Sequence, residues 1–344
     1  MLDKKGPDVS GMALTPPASN GTVAVAIQAT ASDAANGNSN VVAAEYTIDG
    51  GAAQAMSVSA SAPTASLNAT IAQATMNALT AGNHTISIRA RDALNNWGTP
   101  NTITLLVDKT GPAAPTLVSA SPNPNNGTTP FNSSVNAVRM FATLSDAATA
   151  IATGEGFIDT LGAQGAGFPF QAVDGVFNSS NEPAYADIPL PTVSLLASGN
   201  HTLYVRGKDT AGNWGPATSI TLVIDKIGPT ISGNVTLTPS ATNNTAVAIS
   251  ATASDAANGN INIVAAEYFI DTAGANGTGT AMTVGTAAPT AAINGTISAA
   301  TVSALTAGSH TVYVHAKDAA GNWGATSSAT LRVDRTPPTF SGIT

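Results

Sequence analysis

One stretch of sequence, GNHTLYVRGKDTAGNWG at residues 199–215, occurs two further times in closely similar form. The other copies are GNHTISIRARDALNNWG from Gly82 and GSHTVYVHAKDAAGNWG from Gly308. Every tryptophan of the chain lies in one of these copies: Trp97, Trp214 and Trp323. Because rare residues mark the same place in each copy, the sequence predicts a tandem array of one structural unit.

Each copy has the pattern of a strand, a tight turn and a returning strand. Apolar or small residues occupy every second position, as in Ile86, Ile88 and Ala90, which is the period of a half-buried strand. The turn holds residue types that tolerate positive φ: Asn95, Asn96, Gly212, Asn213, Gly321 and Asn322. The returning strand ends in Asp and then Gly-Pro or Pro-Pro, and proline stops the ladder because it lacks the amide donor. Each copy therefore predicts a β-hairpin.

The composition favours sheets over helices. Only 9% of the residues are charged, so the solvated surface must consist largely of Thr, Ser, Asn and Gly. Even the alanine-rich stretches 69–79 and 291–305 are predicted as strand and loop in preference to a helical turn. There is no cysteine, so each unit must be held by apolar packing or by metal.

Several functional classes are excluded by charge and hydropathy. The net charge of −8 argues against nucleic acid and anionic lipid surfaces, both of which call for basic patches. No apolar run is long enough for a membrane-spanning helix, and the charged opening DKKGP does not resemble a signal peptide. An enzyme is also not expected, because the repeated histidines would demand three identical active sites.

The repeat divides the chain into residues 6–110, 111–227 and 228–336, here called repeats one, two and three. In repeat one, strands are predicted at residues 9–14, at 23–31 with Val23 on the inner face, and at 44–49 with Tyr46 on the inner face. Residues 54–76 are expected to hold two edge strands. Residues 337–344 read as the opening strand of a further repeat or as a donor strand for another molecule. Because both ends lie at the same repeat joint, we expect a chain cut or matured from a longer array.

The motifs AEYFID, VHAKDAAGNWG and VDRTPP, with Leu305, Gly308, His310 and Thr311, resemble the immunoglobulin-like repeats of large secreted and surface proteins of bacteria and archaea. The resemblance covers the whole chain about three times over, and the closing half of each repeat is also similar to a fibronectin type III ending. It implies an all-β protein of three tandem immunoglobulin-like (fibronectin III-like) antiparallel sandwiches in an extended rod. It also implies a non-catalytic role as spacer, stalk, adhesin or filament.

At five positions, all three repeats carry an acidic residue: Asp33, Glu45, Asp49, Asp92, Asp108; Asp146, Glu155, Asp159, Asp209, Asp225; Asp255, Glu267, Asp271, Asp318, Asp334. In an immunoglobulin-like topology, Asp108 would approach Asp146, Glu155 and Asp209. Asp225 would likewise approach Asp255, Glu267 and Asp318. Converging carboxylates favour Ca²⁺, which predicts a calcium ion at each joint. The alternative is that the Asp after the sixth strand caps its own turn and the others are solvated.

The tryptophans have two interpretations. They would be platforms for sugar stacking, or they would pack against the hairpin or the joint prolines Pro112 and Pro229 and seal a boundary between repeats. Repetition favours packing. The repeated histidines, such as His84, are expected to hydrogen-bond a neighbouring loop, and His315 is expected at the surface.

Asn-x-Ser/Thr triplets are frequent and are candidate glycosylation sites: Asn20, Asn68, Asn83, Asn126, Asn132, Asn178, Asn200, Asn234, Asn243, Asn276 and Asn294. The sequence thus predicts a secreted or surface-located structural rod or filament subunit that supports attachment or assembly. Its partners would be neighbouring repeats, identical subunits end to end, or glycans. The alternative function is an array of carbohydrate-binding modules that accompanies a secreted enzyme.

Overall fold

The computed structural model describes residues 3–339, and these form an all-β, sandwich-like fold with three six-residue helices. The chain divides into two compact units. The first contains the described residues up to Val118 together with Phe141–Ala186 and Tyr204–Ser219. The second contains Ser119–Met140, Asp187–Leu203 and the chain from Ile220 onwards. Residues 340–344, the larger part of the predicted donor strand, lie outside the described residues, and Pro337–Thr339 are not in a strand.

Repeat one forms an eight-stranded sheet in the order β1-β3-β6-β5-β4-β7-β8-β2. Its elements are β1 Asp8–Thr15, β2 Ala18–Ser19, β3 Val25–Ser32, β4 Val41–Ile48, β5 Gln54–Val58, β6 Thr64–Ile71, α1 Gln73–Ala78, β7 Gly82–Asp92 and β8 Asn101–Val107. Neighbours pair antiparallel, except that β2 runs parallel to β8.

The sheet folds over itself at β5. The first half of β5 pairs with β4, and its second half, Ser57 and Val58, pairs with β6. One layer therefore contains β1, β3 and β6, and the other contains β4, β7 and β8. Ile27 and Leu67 from the first layer and Ile86 and Ile88 from the second are fully buried in one core. Residues 54–76 hold the two predicted strands, β5 and β6, but neither is an edge strand, because β6 lies between β3 and β5 and β5 lies between β6 and β4.

The next strands form two sheets of four, in the orders β13-β14-β10-β9 and β12-β11-β15-β16. Their elements are β9 Thr116–Ser121, β10 Ala137–Ser145, β11 Ile151–Ile158, β12 Phe168–Pro169, β13 Gln171–Ala172, β14 Asn181–Pro189, α2 Leu190–Leu195, β15 Gly199–Asp209 and β16 Thr218–Ile224.

Repeat three reproduces the eight-stranded order of repeat one, as β17-β19-β22-β21-β20-β23-β24-β18. Its elements are β17 Thr230–Thr238, β18 Ala241–Thr242, β19 Val247–Ser254, β20 Ile263–Ile270, β21 Thr280–Val284, β22 Thr290–Ile297, α3 Ala299–Ala304, β23 Gly308–Asp318 and β24 Ser327–Val333. Its core repeats the same pattern, with Val247, Ile293, Val312 and Val314 fully buried.

The alternation read from the sequence sets which side chains face the core. Val25, Ile27 and Ala31 are buried as predicted, and Tyr46 and Tyr268 lie on the inner face. The expectation for Val23 is wrong, because the strand begins at Val25 and Val23 is 46% exposed. The turn after β7 also follows expectation, since Asn95 adopts φ 66° and Gly321, its counterpart after β23, adopts φ 107°.

The prediction of strand and loop in the alanine-rich stretches is wrong in its second half, where a helical turn follows the strand. Each of α1, α2 and α3 inserts one apolar side chain, Met76, Val193 or Val302, that is fully buried. Burial of that side chain outweighs the weak local propensity, which is all that a short segment offers to sequence-based prediction. Among residues 3–339 no helix has the length and apolar character to cross a membrane.

Candidate metal centres

Three clusters of aspartates occur within residues 3–339, each with carboxylate oxygens within 4.8 Å of one another. The N-terminal cluster contains Asp3, Asp33 and Asp92; the middle cluster contains Asp108, Asp146 and Asp209; the C-terminal cluster contains Asp225, Asp255 and Asp318. Each cluster contains one Asp from the segment that precedes a repeat. Its second Asp directly follows strand β3, β10 or β19, and its third is the last residue of strand β7, β15 or β23. The fold brings them together because these three points lie at the same end of the sandwich.

The last Asp of each cluster organises the hairpin turn. In the C-terminal cluster, Asp318 Oδ1 accepts the amides of Gly321 and Asn322 at 2.8 and 2.9 Å, and Oδ2 accepts the Asn322 side chain at 2.9 Å. The Asn322 amide nitrogen also donates to the Asp225 carbonyl at 3.0 Å. Asp209 makes the same contacts in its turn, and Asp92 differs only in accepting the amide of Leu94, one residue earlier. The turn-capping alternative therefore describes this one position.

Of the other cluster aspartates, four are buried, whereas Asp3 and Asp146 are half-buried. Asp33 and Asp255 are fully buried, and Asp225 and Asp108 are 1% and 4% exposed. Asp255 Oδ2 accepts the Ile261 amide at 2.8 Å, but its Oδ1 is buried without any partner. Asp33 repeats this arrangement: its Oδ2 accepts the Ser39 amide at 2.7 Å, and its Oδ1 has no partner among the described residues. Such oxygens are costly unless a cation or donor meets them.

The C-terminal cluster carries a second orphaned oxygen. Asp225 Oδ1 accepts the Ile227 amide at 3.1 Å, while Oδ2 is buried without a partner. A Cβ added to Gly259 would overlap this carboxylate, so the glycine leaves the room that Asp225 occupies. Gly37 has the same relation to Asp3 in the N-terminal cluster.

The electrostatics of the clusters follow from this burial. Burial raises the pKa of Asp255 from 3.8 to about 6, and the neighbouring charges of Asp225 and Asp318 add to the shift. Burial also raises the pKa of Asp225, with Asp318 contributing. The pKa of Asp33 is raised by burial and by the charges of Asp3, Asp92 and Asp8. The N-terminal and C-terminal clusters thus favour a bound positive charge.

The middle cluster is built differently. Asp146 Oδ1 accepts the amides of Ala148 and Thr149 at 2.9 and 2.7 Å. The Thr149 hydroxyl also donates to Asp108 Oδ2 at 3.2 Å, and Asp108 Oδ1 accepts the Thr110 amide at 3.0 Å. A hydroxyl therefore meets the oxygen that corresponds to the orphaned Asp225 Oδ2.

The expected ligands Glu155 and Glu267 do not join the clusters. Glu155 lies within β11 and bonds Arg206 Nε at 2.6 Å, and Glu267 lies within β20 and contacts His315 Nε2 at 2.7 Å. Both glutamates are in mid-strand, so their side chains meet the facing residue of the next strand and do not reach the loop end. The register of Glu267 opposite His315 is the signal that would have separated them from the aspartates.

Asp3 was missed as a cluster member. Its carboxylate accepts the Ser39 hydroxyl at 2.6 Å and completes the N-terminal cluster. The sequence carried the signal, because the segment at residues 2–7 matches 107–112 and places Asp3 where Asp108 stands.

The expectation that His315 lies at the surface is wrong. His315 is 3% exposed, between Glu267 and the ring of Trp323, whose centroid is 4.6 Å away. It replaces Arg89 and Arg206, which pair with the corresponding glutamates. The alignment with two arginines suggested a solvated position, whereas in the fold this position faces the paired glutamate.

The repeated histidines hydrogen-bond the neighbouring loop, as predicted. His84 Nε2 contacts the Thr80 carbonyl at 2.9 Å, and Nδ1 contacts the Asp49 carboxylate at 2.6 Å. Burial alone would lower the pKa of His84, but these two hydrogen bonds raise it overall. His310 has the same partners in Thr306 and Asp271, whose hydrogen bonds raise its pKa.

Each indole packs against side chains of its own hairpin. Trp97, which is 37% exposed, lies 4.6 Å from the guanidinium of Arg89, and Trp214 lies 5.4 Å from that of Arg206. The joint prolines meet the backbone after the tryptophan, since the carbonyls of Pro112 and Pro229 abut Gly215 and Gly324. One ring face is therefore covered by a cation or, for Trp323, by His315.

The Asn-x-Ser/Thr triplets fall into two groups. Nine of the candidate asparagines are exposed: Asn68, Asn83, Asn132, Asn178, Asn200, Asn234, Asn243, Asn276 and Asn294. Asn20 and Asn126 are half-buried, and their side-chain oxygens accept the hydroxyls of Thr22 and Thr128. Glycosylation stays a prediction for the exposed group.

No family model matches the chain, and no curated protein matches it either. Among solved structures, the chain is similar to one described in work on host cell surface retention of a 1.5-MDa bacterial ice-binding adhesin. That similarity has 15% identity and a TM-score of 0.38, and it covers 95% of this chain and 96% of the other. A second similarity is to fibronectin(III)-like modules of Clostridium thermocellum CbhA, with 15% identity, a TM-score of 0.30, and coverage of 66% and 100%. The fold given above rests on strand order and register.

Proposed function

We propose that this chain is a non-enzymatic, extracellular structural protein of three tandem immunoglobulin-like repeats whose aspartate clusters bind Ca²⁺. The observation that carries the proposal is a set of buried carboxylate oxygens that have no donor within the described range 3–339: Asp33 Oδ1, Asp225 Oδ2 and Asp255 Oδ1. All three belong to aspartate clusters.

The chemistry of the clusters suits calcium. Ca²⁺ takes six to eight hard oxygen ligands and tolerates irregular geometry, and carboxylates are its commonest protein ligands. The clusters contain no histidine or cysteine within residues 3–339, so nitrogen- and sulfur-preferring metals have less to bind. Backbone carbonyls and water would complete the coordination.

Calcium at these positions would tie successive repeats together. Asp108 follows the last strand of repeat one, whereas Asp146 and Asp209 belong to repeat two. Asp225 has the same relation to Asp255 and Asp318 of repeat three. A cation that bridges these residues would restrict the connection between two repeats, which suits a stalk, adhesin or filament.

The direct test is calorimetric titration of the metal-stripped chain with CaCl2. We expect heat of binding in the wild-type chain and loss of one site in Asp255→Asn. Asp174→Asn is the matched control, because Asp174 is exposed and belongs to no cluster. Wild-type protein that takes up no calcium under these conditions would contradict the proposal.

Small-angle scattering with and without a chelator tests the mechanical role. A calcium-stiffened array should become more flexible when the ion is removed. Particles of equal stiffness in both conditions would leave calcium binding intact but remove its role at the joints. End-to-end assembly through residues 337–344 is a separate expectation, and polymers of unchanged length after deletion of this segment would remove it.

A further inference from the structure

The turn after the central strand β4 is shorter in repeat one than in the other two repeats. Tyr46 pairs with Gln54, whereas its counterpart Tyr268 pairs with Thr280, and Gly156 pairs with Phe168. Repeat one therefore lacks four residues between the paired positions.

In repeats two and three, the longer turn closes over the strand glutamate. The amides of Gly277 and Gly279 both donate to Glu267 at 2.7 Å, and those of Gly165 and Gly167 donate to Glu155 at 3.1 and 2.9 Å. The carbonyl of Gly162 also accepts a hydrogen bond from Arg206 Nη2 at 3.0 Å. In both repeats the turn thus supplies two donors to the glutamate, and in repeat two it also supplies one acceptor to the arginine.

An aromatic ring fills the remaining space in these repeats. Phe157 lies 5.1 Å from the guanidinium of Arg206 and packs against Gly162 and Gly167 of the turn. In repeat three, Phe269 takes this place and faces Tyr313 on the neighbouring strand. The glutamates are accordingly buried, with Glu155 and Glu267 each 3% exposed.

Repeat one has neither the longer turn, nor its hydrogen bonds to the glutamate, nor the aromatic ring. Thr47 and Ser87 form the cross-strand pair that corresponds to Phe269 and Tyr313, and the turn is too short to reach Glu45. Glu45 Oε1 accepts Arg89 Nε at 2.7 Å and also contacts Arg89 Nη2, and the Glu45 side chain is 21% exposed, against 4% for its two counterparts. The result is an open cleft of about 330 Å³ beside these four side chains, Gly51 and Pro100.

We propose that this cleft binds a neutral sugar ring. The cleft presents the Glu45 carboxylate, whose counterparts in the other two repeats each accept two backbone amides. It also presents the Arg89 guanidinium, whose counterpart in repeat two donates to a backbone carbonyl. Neighbouring hydroxyls of a pyranose supply both kinds of group at once. The walls of Thr47 and Ser87 add hydroxyls where the other repeats have aromatic rings, and the volume lies at the lower end of the ~300–1,000 Å³ range of small-molecule sites.

An extended peptide is the competing occupant, because the missing cover was itself a glycine-rich turn. The lining favours the sugar. A peptide in place of the turn would pack on an aromatic ring, as the turn of repeat three packs on Phe269, but the walls here are the polar, half-buried Thr47 and Ser87. This proposal concerns residues outside the aspartate clusters, so it stands or fails independently of calcium binding.

The test is an NMR titration of the calcium-loaded chain with methyl glucopyranoside, galactopyranoside and mannopyranoside. A single ring is expected to bind with a Kd of about 1 mM or weaker. Amide shifts should appear around Glu45, Gly51, Ser87 and Arg89 and not at the corresponding residues of repeat three. Glu45→Gln should weaken binding about tenfold, because it removes a charged acceptor.

Filling the cleft gives the sharper comparison. Thr47→Phe combined with Ser87→Tyr restores the pair found in repeat three and should abolish the sugar-induced shifts. Gln28→Phe, on an exposed site of the opposite layer, is the matched control and should leave them unchanged. Absence of shifts with all three sugars overturns the proposal. Shifts that appear only with a synthetic TAGANGTGT peptide, copied from the turn of repeat three, would overturn it in favour of a peptide site.

Discussion

The middle and C-terminal aspartate clusters use corresponding residues but satisfy them differently. In the C-terminal cluster, Asp225 Oδ2 and Asp255 Oδ1 are buried without partners. In the middle cluster, Thr149 donates its hydroxyl to Asp108 Oδ2, and Asp146 accepts two backbone amides. One cluster therefore keeps two buried carboxylate oxygens without a donor among residues 3–339, whereas the other is partly satisfied by the protein itself.

The difference arises from the loop that follows the first inner strand. From Asp255 the chain runs to Ile263 before the next strand begins, whereas from Asp146 it reaches the next strand at Ile151. The shorter loop places Thr149 against Asp108. The comparison teaches that corresponding acidic residues can be left without donors or can be met by donors of the protein itself, according to a few residues beside them.

The largest expected effect is a pH dependence of the C-terminal cluster without metal. Since the pKa of Asp255 is raised from 3.8 to about 6, the native state holds its proton more tightly than the unfolded chain. The free energy of unfolding should therefore be highest below about pH 4 and fall by about 3 kcal/mol as the pH rises past 6. Denaturant unfolding in chelator across this range measures the slope. Asp255→Asn should flatten it, and a slope unchanged by this variant would contradict the raised pKa.

Calcium should stabilise the C-terminal cluster more than the middle one. A ligand at one hundred times its Kd adds about 2.7 kcal/mol to the free energy of unfolding. We expect Asp255→Asn to lose most of this gain, and Asp146→Asn to lose less, because the middle cluster starts with fewer unmet oxygens. Thermal unfolding with calcium and with chelator gives both differences. Equal losses in the two variants would remove the distinction between the clusters.

Removing the Thr149 hydroxyl should convert the middle cluster towards the C-terminal one. Thr149→Val deletes the donor to Asp108 Oδ2 and should destabilise the metal-free protein by about 1 kcal/mol. The same variant should gain more from calcium than the wild type does. Thr245→Val is a control for the loss of a threonine hydroxyl outside the clusters. A variant with an unchanged response to calcium would show that the hydroxyl does not compensate for a cation.

The smallest expected effect is the loss of the contribution of His310 to the free energy of unfolding, at a pH above the range in which Asp255 titrates. Hydrogen bonds to Thr306 and Asp271 raise the pKa of His310, so its contribution is complete below the unfolded value of 6.5 and is lost as the pH rises through the folded value. Because Asp271 is half exposed, the loss should be below about 1 kcal/mol. Unfolding of calcium-loaded His310→Gln between pH 6 and 9 should show a flatter profile than the wild type. An identical profile would place the titrating group elsewhere.

The hairpins could be predicted because their signals are local. Alternating residues such as Ile86 and Ile88 and the turn residues Asn95 and Gly321 are placed as the period and turn chemistry require. The short helices were not predicted, since a six-residue segment depends on burial of one side chain such as Met76 in a core built by distant strands.

The residues of the candidate sites could likewise be predicted only in part. The sequence placed eight of the nine cluster aspartates, including Asp108 and Asp225, at positions shared by the repeats, and the topology then brought them together. It could not separate Glu155 and Glu267 from them, because only strand register shows that these two face Arg206 and His315. The burial of His315 was missed for the same reason.

By itself, the sequence determined the repeating pattern of strands and turns and the positions at which acidic residues recur. These properties follow from periodicity and turn chemistry over a few residues. Only the tertiary structure decided which carboxylate oxygens are left without donors, that Thr149 meets Asp108, and that Glu45 lies open while Glu267 is covered. Such properties depend on contacts between segments far apart in the chain, where loop lengths and burial set the local electrostatics.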